Sequence, residues 1–331
     1  MKNRITKISM AFIIVMVCFT SCEKDKNFNT EESKTSQESD NILCFKSVED
    51  HQKTLNKVSA MNLQELIEYE DSQGYKSFGR KSDEIYYSVN PESFKSLDDL
   101  KDFVSINDEY LQLIEDENGE YTLETKYYYL ANKYIMNNDN MYQINNTVYK
   151  VFNSGIASAP IEHTDILKMA DESIISKVAE NYNIKFESNN KGEWCGNQTR
   201  DVRSTNGKNR TYFRLTLNAF SPPGGSGTNA WVDFFARPYK KTLGVWYHCK
   251  RSISFKINCS YYGRTSTGWP NKTINRTGSS YAYSVLGTLP DDGSVFSSKT
   301  ANNIVYSWID SWADTPDTDY ARIQCNESSA N

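Results

Sequence analysis

Apolar and polar positions follow two different periods along the chain, and the change of period divides it. Before residue 190 three segments carry the marks of short amphipathic helices. Ser47 precedes Val48-Glu49-Asp50 and a run with Leu55 and Val58; Asn62 precedes Leu63-Gln64-Glu65 with Leu66 and Ile67; Ser96 precedes Leu97, Leu100 and Phe103. In each, a Ser or Asn stands where its side chain can accept from an amide of the first turn. Residues 141–152, MYQINNTVYKVF, are two β-prone runs around Asn145-Asn146. Asparagine tolerates positive φ, so this pair predicts a two-residue hairpin turn. Past residue 190 the period falls to two. Phe213, Leu215, Leu217 and Ala219 alternate with polar neighbours, NAWVDFFARP (229–238) continues after a turn-rich SPPGGSGT, and Leu243, Val245, Tyr247 and Cys249, then Ile253, Phe255, Ile257 and Cys259, keep the alternation. Strands with one buried face read this way. The pattern predicts an α+β chain: mixed helix and strand over 42–190, then an all-β part, sandwich- or barrel-like, over 191–331.

One stretch obeys neither period. Residues 8–19, ISMAFIIVMVCF, hold no charge and follow a basic head of Lys2, Arg4 and Lys7. A bilayer needs about 20 apolar residues, so this run is too short to span one and has the shape of a secretory h-region. The Phe19-Thr20-Ser21-Cys22 that ends it resembles the lipobox of bacterial lipoprotein signal peptides, with Phe19 where Leu is usual. The resemblance implies a signal peptide over 1–21 and a lipidated Cys22 as first residue of the mature chain, its several acyl chains giving stable anchoring. Residues 23–41 hold one aromatic and no aliphatic side chain. Such a segment cannot bury enough apolar surface to fold, and 22–41 reads as a disordered tether reaching roughly 24 Å. Its Cys-Glu-Lys-Asp start resembles the acid-containing signals that route Bacteroidetes lipoproteins to the outer face of the outer membrane. The expected location is therefore the outer membrane, lipid-anchored and exposed at the cell surface.

Charge sharpens the division near residue 190. From Cys22 to Asn190 there are 17 Lys and Arg against 32 Asp and Glu; from Lys191 to Asn331, 17 against 10. Arg80 is the single arginine of the first part, and all six tryptophans lie in the second. Residues 187–193, ESNNKGE, have linker-like composition and mark the expected boundary between an acidic domain and a basic, Trp-rich one. The acidic pairs and runs, such as Asp98-Asp99 and Glu115-Asp116-Glu117, fit helix first turns and solvated loops. No Asp-x-Asp-x-Asp-Gly calcium loop is present.

Cysteine chemistry is narrow. An exported chain meets an oxidising milieu, so Cys195, Cys249, Cys259 and Cys325 are expected to form two disulfides, with three possible connectivities, leaving Cys44 as a thiol. A nucleophile or metal site built on His248, Cys249 and Cys259 finds little support. The chain has three histidines and neither His-x-x-x-His nor Cys-x-x-Cys spacing. No catalytic residue, metal or cofactor is expected, and SPPGGSGT lacks the Gly-Lys-Ser/Thr of a phosphate loop.

Across the mature chain, CFKSVEDHQKTLNKVS, INNTVYKVF and LGVWYHCKRSISFKI, together with the lipobox, look like a group of Bacteroidetes lipoproteins with no established activity. That resemblance implies location and two-part layout and brings no functional residues. Function is read from charge and aromatics. Residues 191–276 hold 15 Lys and Arg against 3 Asp and Glu, interspersed with tryptophan and tyrosine. Trp231, Arg237, Lys240, Lys241, Trp246, Lys250 and Arg251 are the expected face of a binding module for an anionic glycan or a protein partner. The competing expectation makes those tryptophans core and pairs the positive charge with the acidic part. Nucleic acid has charge alone in its favour, without a recognition motif. A hydrolase whose carboxylates come from distant strands ranks second.

Overall fold

The computed structural model describes residues 42–175, 177, 181–188, 199–220, 228–263, 271–290, 296–298 and 304–326. The signal segment, Cys22, the tether, the boundary residues 189–193 and the glycine-rich turn 221–227 lie outside them, as do Cys195, Trp194 and Trp269.

Helices begin where the caps predict. After strand β1 (Leu43–Phe45) come α1 (Val48–Ser59), α2 (Leu63–Gln73), α3 (Phe78–Ser88) and α4 (Leu97–Ile106). The Asp50 amide donates to Ser47 Oγ at 3.1 Å. At α2 the Glu65 amide donates to Asn62 Oδ1 while the Asn62 amide donates back to Glu65 Oε2, a full capping box. Helix α3 was not legible in the sequence, and its inward face explains why. Gly79, Ser82 and Asp83 are buried there with Phe78 and Tyr86, so small and polar residues interrupt the apolar period.

The remaining first-half elements are β2 (Leu111–Glu115), β3 (Tyr121–Thr125), β4 (Met141–Ile144), β5 (Thr147–Phe152), β6 (Gly155–Pro160), α5 (Thr164–Met169) and β7 (Lys185–Ser188). The β4–β5 turn falls on Asn145-Asn146, with Asn145 at φ 52°. The second half is β8 (Thr199–Thr205), β9 (Asn209–Phe220), β10 (Thr228–Thr242), β11 (Val245–His248), β12 (Arg251–Gly263), β13 (Asn271–Ala282), β14 (Val285–Leu289), β15 (Phe296–Ser298), β16 (Ile304–Asp314) and β17 (Ala321–Asn326). Leu243, assigned to a strand by its alternation, instead shares a turn of positive φ with Gly244.

The described strands form three sheets, and the fold is α+β. The first runs β1-β4-β5-β6-β7, the second β2-β3-β11-β10-β9-β8 with β14 and β15 also on β10, and the third β13-β12-β16-β17. The central sheet crosses the charge boundary, because β3 of the acidic half pairs in parallel with β11 of the basic half. Its long strand β10 is buried on both faces. Val232, Phe234 and Ala236 pack with Phe213, Leu215 and Leu217 against Ile253, Ile257, Cys259, Tyr306 and Ile309 of the third sheet. Trp231, Phe235 and Tyr239 face the other way, into a core shared with Leu55, Phe78, Tyr86, Tyr142 and Tyr149. The chain is thus layered, helices and first sheet on one side of β10 and the third sheet on the other.

Two of the four expected disulfide cysteines need correcting: Cys249 and Cys259 are free thiols. They stand ten residues apart around and along β12, too far in extended chain to reach each other at about 3.3 Å per residue. Cys259 is enclosed within the sandwich core, 0% exposed. Cys325 is disulfide-bonded. Thiol titration under denaturing, non-reducing conditions is therefore expected to label Cys44, Cys249 and Cys259, and to label Cys325 only after reduction. Protection of Cys249 or Cys259 before reduction would restore the two-disulfide arrangement.

Candidate functional site: a tyrosine-rimmed cleft

Among the described residues two polar clusters stand out as candidates, and burial separates them. The first lies where β3, β10 and β11 meet. The parallel register sets Trp246 beside Thr122, so two residues on His248 falls beside Glu124. Arg237 Nη1 donates to Glu124 Oε2 at 2.5 Å, the Tyr239 hydroxyl donates to Oε1, and His248 Nε2 lies 2.8 Å from Oε2 and 2.7 Å from Arg237 Nη1. From α3, the Tyr86 ring stacks on His248 at 3.8 Å and its hydroxyl accepts from the His248 amide. Burial works to raise the Glu124 carboxyl, but Arg237, His248 and Tyr239 together hold it at about 2. Burial beside Arg237 pushes His248 down to about 4, so its ring is neutral.

Glu124, Arg237 and the His248 side chain are 1–2% exposed. No ligand reaches them, and their effect is to tie helix, hairpin and central sheet together. The same hairpin supplies three more contacts, nearer the surface. Lys241 Nζ pairs with Glu120 Oε1, Trp246 Nε1 donates to Glu120 Oε2 at 2.8 Å, and Arg210 Nη1 lies 3.6 Å from Asp116. Asp116, Glu120 and Glu124 thus gather cations from the basic half, and this part of the charge split is internal neutralisation. Burial raises the Cys249 thiol and pushes the Cys259 thiol up to about 12. Among the described residues no group of His, Cys, Asp and Glu could hold a metal ion.

The second cluster lines a cleft of about 790 Å³ between the α1–α2 turn, α3, and the β13–β14 bend. Its floor is Asp83 on α3. Lys133 Nζ donates to Asp83 Oδ1 at 2.9 Å and the Tyr134 hydroxyl to Oδ2 at 2.8 Å. Lys133 is fully buried, and that burial lowers its ammonium against the pull of Asp83. Burial raises the Tyr134 hydroxyl well above its ordinary value, so it remains a donor. The rim is aromatic and basic. Tyr281 is 66% exposed and Tyr283 42%, the Tyr283 ring meets Tyr87 at 5.0 Å, and Lys250 Nζ lies 5.2 Å over Tyr281. Arg276 lines the β13 wall. Gly278 keeps that wall close, because a Cβ there would fall 2.5 Å from the Phe255 ring.

Of the residues singled out in the sequence, Lys250 alone lines this cleft. Trp231 and Trp246 are core residues, and Arg237 belongs to the buried cluster. Lys241 is spent on Glu120, Arg251 on the Pro316 carbonyl, Asn209 and Asp317, and Lys240 is exposed elsewhere on β10. The seven do not share a face. Alternation could place Trp231 and Arg237 on one side of β10 but gave no sign that both sides are covered. Asp83, Tyr87, Tyr134, Arg276, Tyr281 and Tyr283 were missed. The one signal toward them was the aromatic density of β13–β14, SSYAYS.

No family model matches the chain, and no curated protein matches it. It is similar to a solved structure, the crystal structure of a DUF4848 family protein from Bacteroides thetaiotaomicron VPI-5482. Identity is 14% over 86% of this chain and 96% of that one, with a TM-score of 0.28. A likeness of that size carries no argument about activity.

Proposed function

We propose that the protein is a lipid-anchored binding protein of the outer-membrane surface, held through Cys22 and a short tether, which takes an anionic ligand into the tyrosine-rimmed cleft. The observation that carries the binding reading is how the cleft's groups are committed. Among the described residues, the two carboxylates that line it are both engaged, Glu65 in the α2 capping box and Asp83 with Lys133 and Tyr134. Neither is placed as the acid or nucleophile of a hydrolase. Lys250 supplies positive charge, Arg276 of the same lining lies over the Phe234 ring, and the exposed tyrosines supply flat apolar surface. The lipobox resemblance, the apolar run before it and the tether composition support the anchor; among the described residues no helix is long and apolar enough to cross a membrane.

The test uses the full chain. Cys22→Ala is expected to shift the protein from the membrane to the soluble fraction, and mass spectrometry of the parent to show an acylated Cys22. On the soluble chain, heparin and polygalacturonate are expected to bind at low salt and to be lost steeply as ionic strength rises from about 0.01 to about 1 M, where the screening length falls from about 30 Å to 3 Å. Lys250→Glu and Arg276→Glu should each weaken binding about tenfold, roughly 1.4 kcal/mol. Binding indifferent to both substitutions would remove the cleft from the proposal, and a Cys22→Ala chain still in the membrane would remove the anchor.

A further inference from the structure

We infer that the cleft is built for an acidic saccharide, with Asp83 reading sugar hydroxyls at the floor; the inference rests on the binding reading above and names its ligand class. Asp83 is more fixed than an ion pair requires. Lys133 holds Oδ1 and Tyr134 holds Oδ2, and the two oxygens of a carboxyl group have about four lone-pair positions, so two donors leave room for more. A buried pair of this kind contributes little net stability compared with apolar side chains of similar volume. What it does provide is a preorganised acceptor whose geometry is set before a ligand arrives.

The open acceptor positions call for donors. Ammonium groups are disfavoured because Lys250 and Arg276 line the same cleft, whereas hydroxyls are neutral and come in vicinal sets on a sugar ring. The rim completes the description. Tyr281 and Tyr283 leave large aromatic faces in water, surface that the C–H face of a pyranose would cover. Lys250 then meets a carboxylate or sulfate on that ring. A volume of about 790 Å³ falls within the usual range for small-molecule sites, about 300–1,000 Å³, and suits a short oligosaccharide.

The deciding comparison varies the ligand and leaves the protein intact. Calorimetry on the full Cys22→Ala chain would use three probes of equal charge: an oligogalacturonate, an oligoacrylate with carboxylates but no hydroxyls, and an oligoglutamate peptide. The oligogalacturonate is expected to bind about tenfold more tightly than either, and Asp83→Asn combined with Lys133→Met to erase that margin while leaving the weaker binding in place. The paired change avoids stranding a buried ammonium; if it fails to fold, the three-probe comparison on the unaltered site still decides. Equal affinity for oligoacrylate overturns the hydroxyl reading and leaves the anionic binder standing. Tighter binding of oligoglutamate makes the ligand an acidic protein instead. No binding of any probe, or binding untouched by Lys250→Glu, overturns the cleft reading itself.

Discussion

An Arg237→Met chain is expected to lose about 3–5 kcal/mol of stability, read as a lower denaturant midpoint at unchanged slope, because the substitution leaves a buried carboxylate without its cation. Glu124 is 1% exposed and keeps its charge through the Arg237 guanidinium at 2.5 Å. Methionine restores much of the volume but no donor. Glu124 would be left with the Tyr239 hydroxyl and a neutral His248, and burial, which already works against its charge, would then prevail and raise its pKa. Changing both partners, Arg237→Met with Glu124→Gln, should recover most of the loss, since no charge is then buried alone. The coupling in that cycle is expected to be about 2–3 kcal/mol. A single-variant loss below about 1 kcal/mol would show that the cluster contributes no more than a surface ion pair.

This cluster also shows where a sequence stops being readable. The elements could be read because caps and alternation are local: Ser47, the Asn62–Glu65 box and Ser96 each act within four residues, and the β9 and β12 alternation needs only neighbours in the chain. The pairing of β3 with β11 spans more than a hundred residues and rests on two register positions. Nothing in either segment announces it, and with it goes the partnership of Glu124, Arg237 and His248. The charge split was visible, but its meaning depended on that pairing. Asp116, Glu120 and Glu124 recur at every fourth residue, a period without significance in a hairpin until the strand arrives that brings their cations.

The cleft was hidden for a different reason. Its floor sits on α3, where Asp83 and Ser82 occupy inward positions that the helical period reserves for apolar residues. Local rules fail there because a polar side chain that holds Lys133 and Tyr134 takes the place of a packing one. Lys133 and Tyr134 come from a 3₁₀ turn that follows a left-handed Tyr127, Lys250 from the link between β11 and β12, and Arg276 from β13 of the third sheet. Four separated segments contribute, none with a spacing that marks a site. Tryptophan content pointed instead to β10 and β11, where Trp231 and Trp246 are the largest fully buried side chains of the core. Aromatic enrichment alone cannot separate buried rings from exposed ones; the structure does, and of the exposed tyrosines Tyr281 and Tyr283 line the cleft.

Stability should peak at mildly acidic pH and fall on both sides. Five buried groups set the profile. His51, enclosed by Phe45, Tyr142 and Trp231, is pushed down to about 3 by burial, and His248 to about 4. A histidine lowered in the folded chain is protonated first in the unfolded one, so both withdraw stability as pH drops below about 6.5. Glu124, held at about 2, adds stability above its unfolded value of about 4.5 that disappears as pH falls toward 2. Two acids act in the opposite sense. Burial raises Glu70 to about 7 and Asp233 to about 8 despite their hydrogen bonds from Ser77 and from Asn218 and Trp231. Each favours the folded chain at low pH and loses that contribution as pH climbs through its folded value. Between about pH 5 and 6 the protons taken up by the unfolded histidines nearly balance those kept by the folded Glu70 and Asp233. Above this plateau the two acids dominate, and roughly 2 kcal/mol should go by pH 9; below it the histidines and Glu124 dominate, and roughly 3 kcal/mol should go by pH 3. Urea midpoints measured across this range at constant ionic strength would trace the dome. A midpoint that rises steadily from pH 5 to 8 would mean that Glu70 and Asp233 are ionised in the folded protein, and His51→Phe should flatten the acid limb if the histidines carry it.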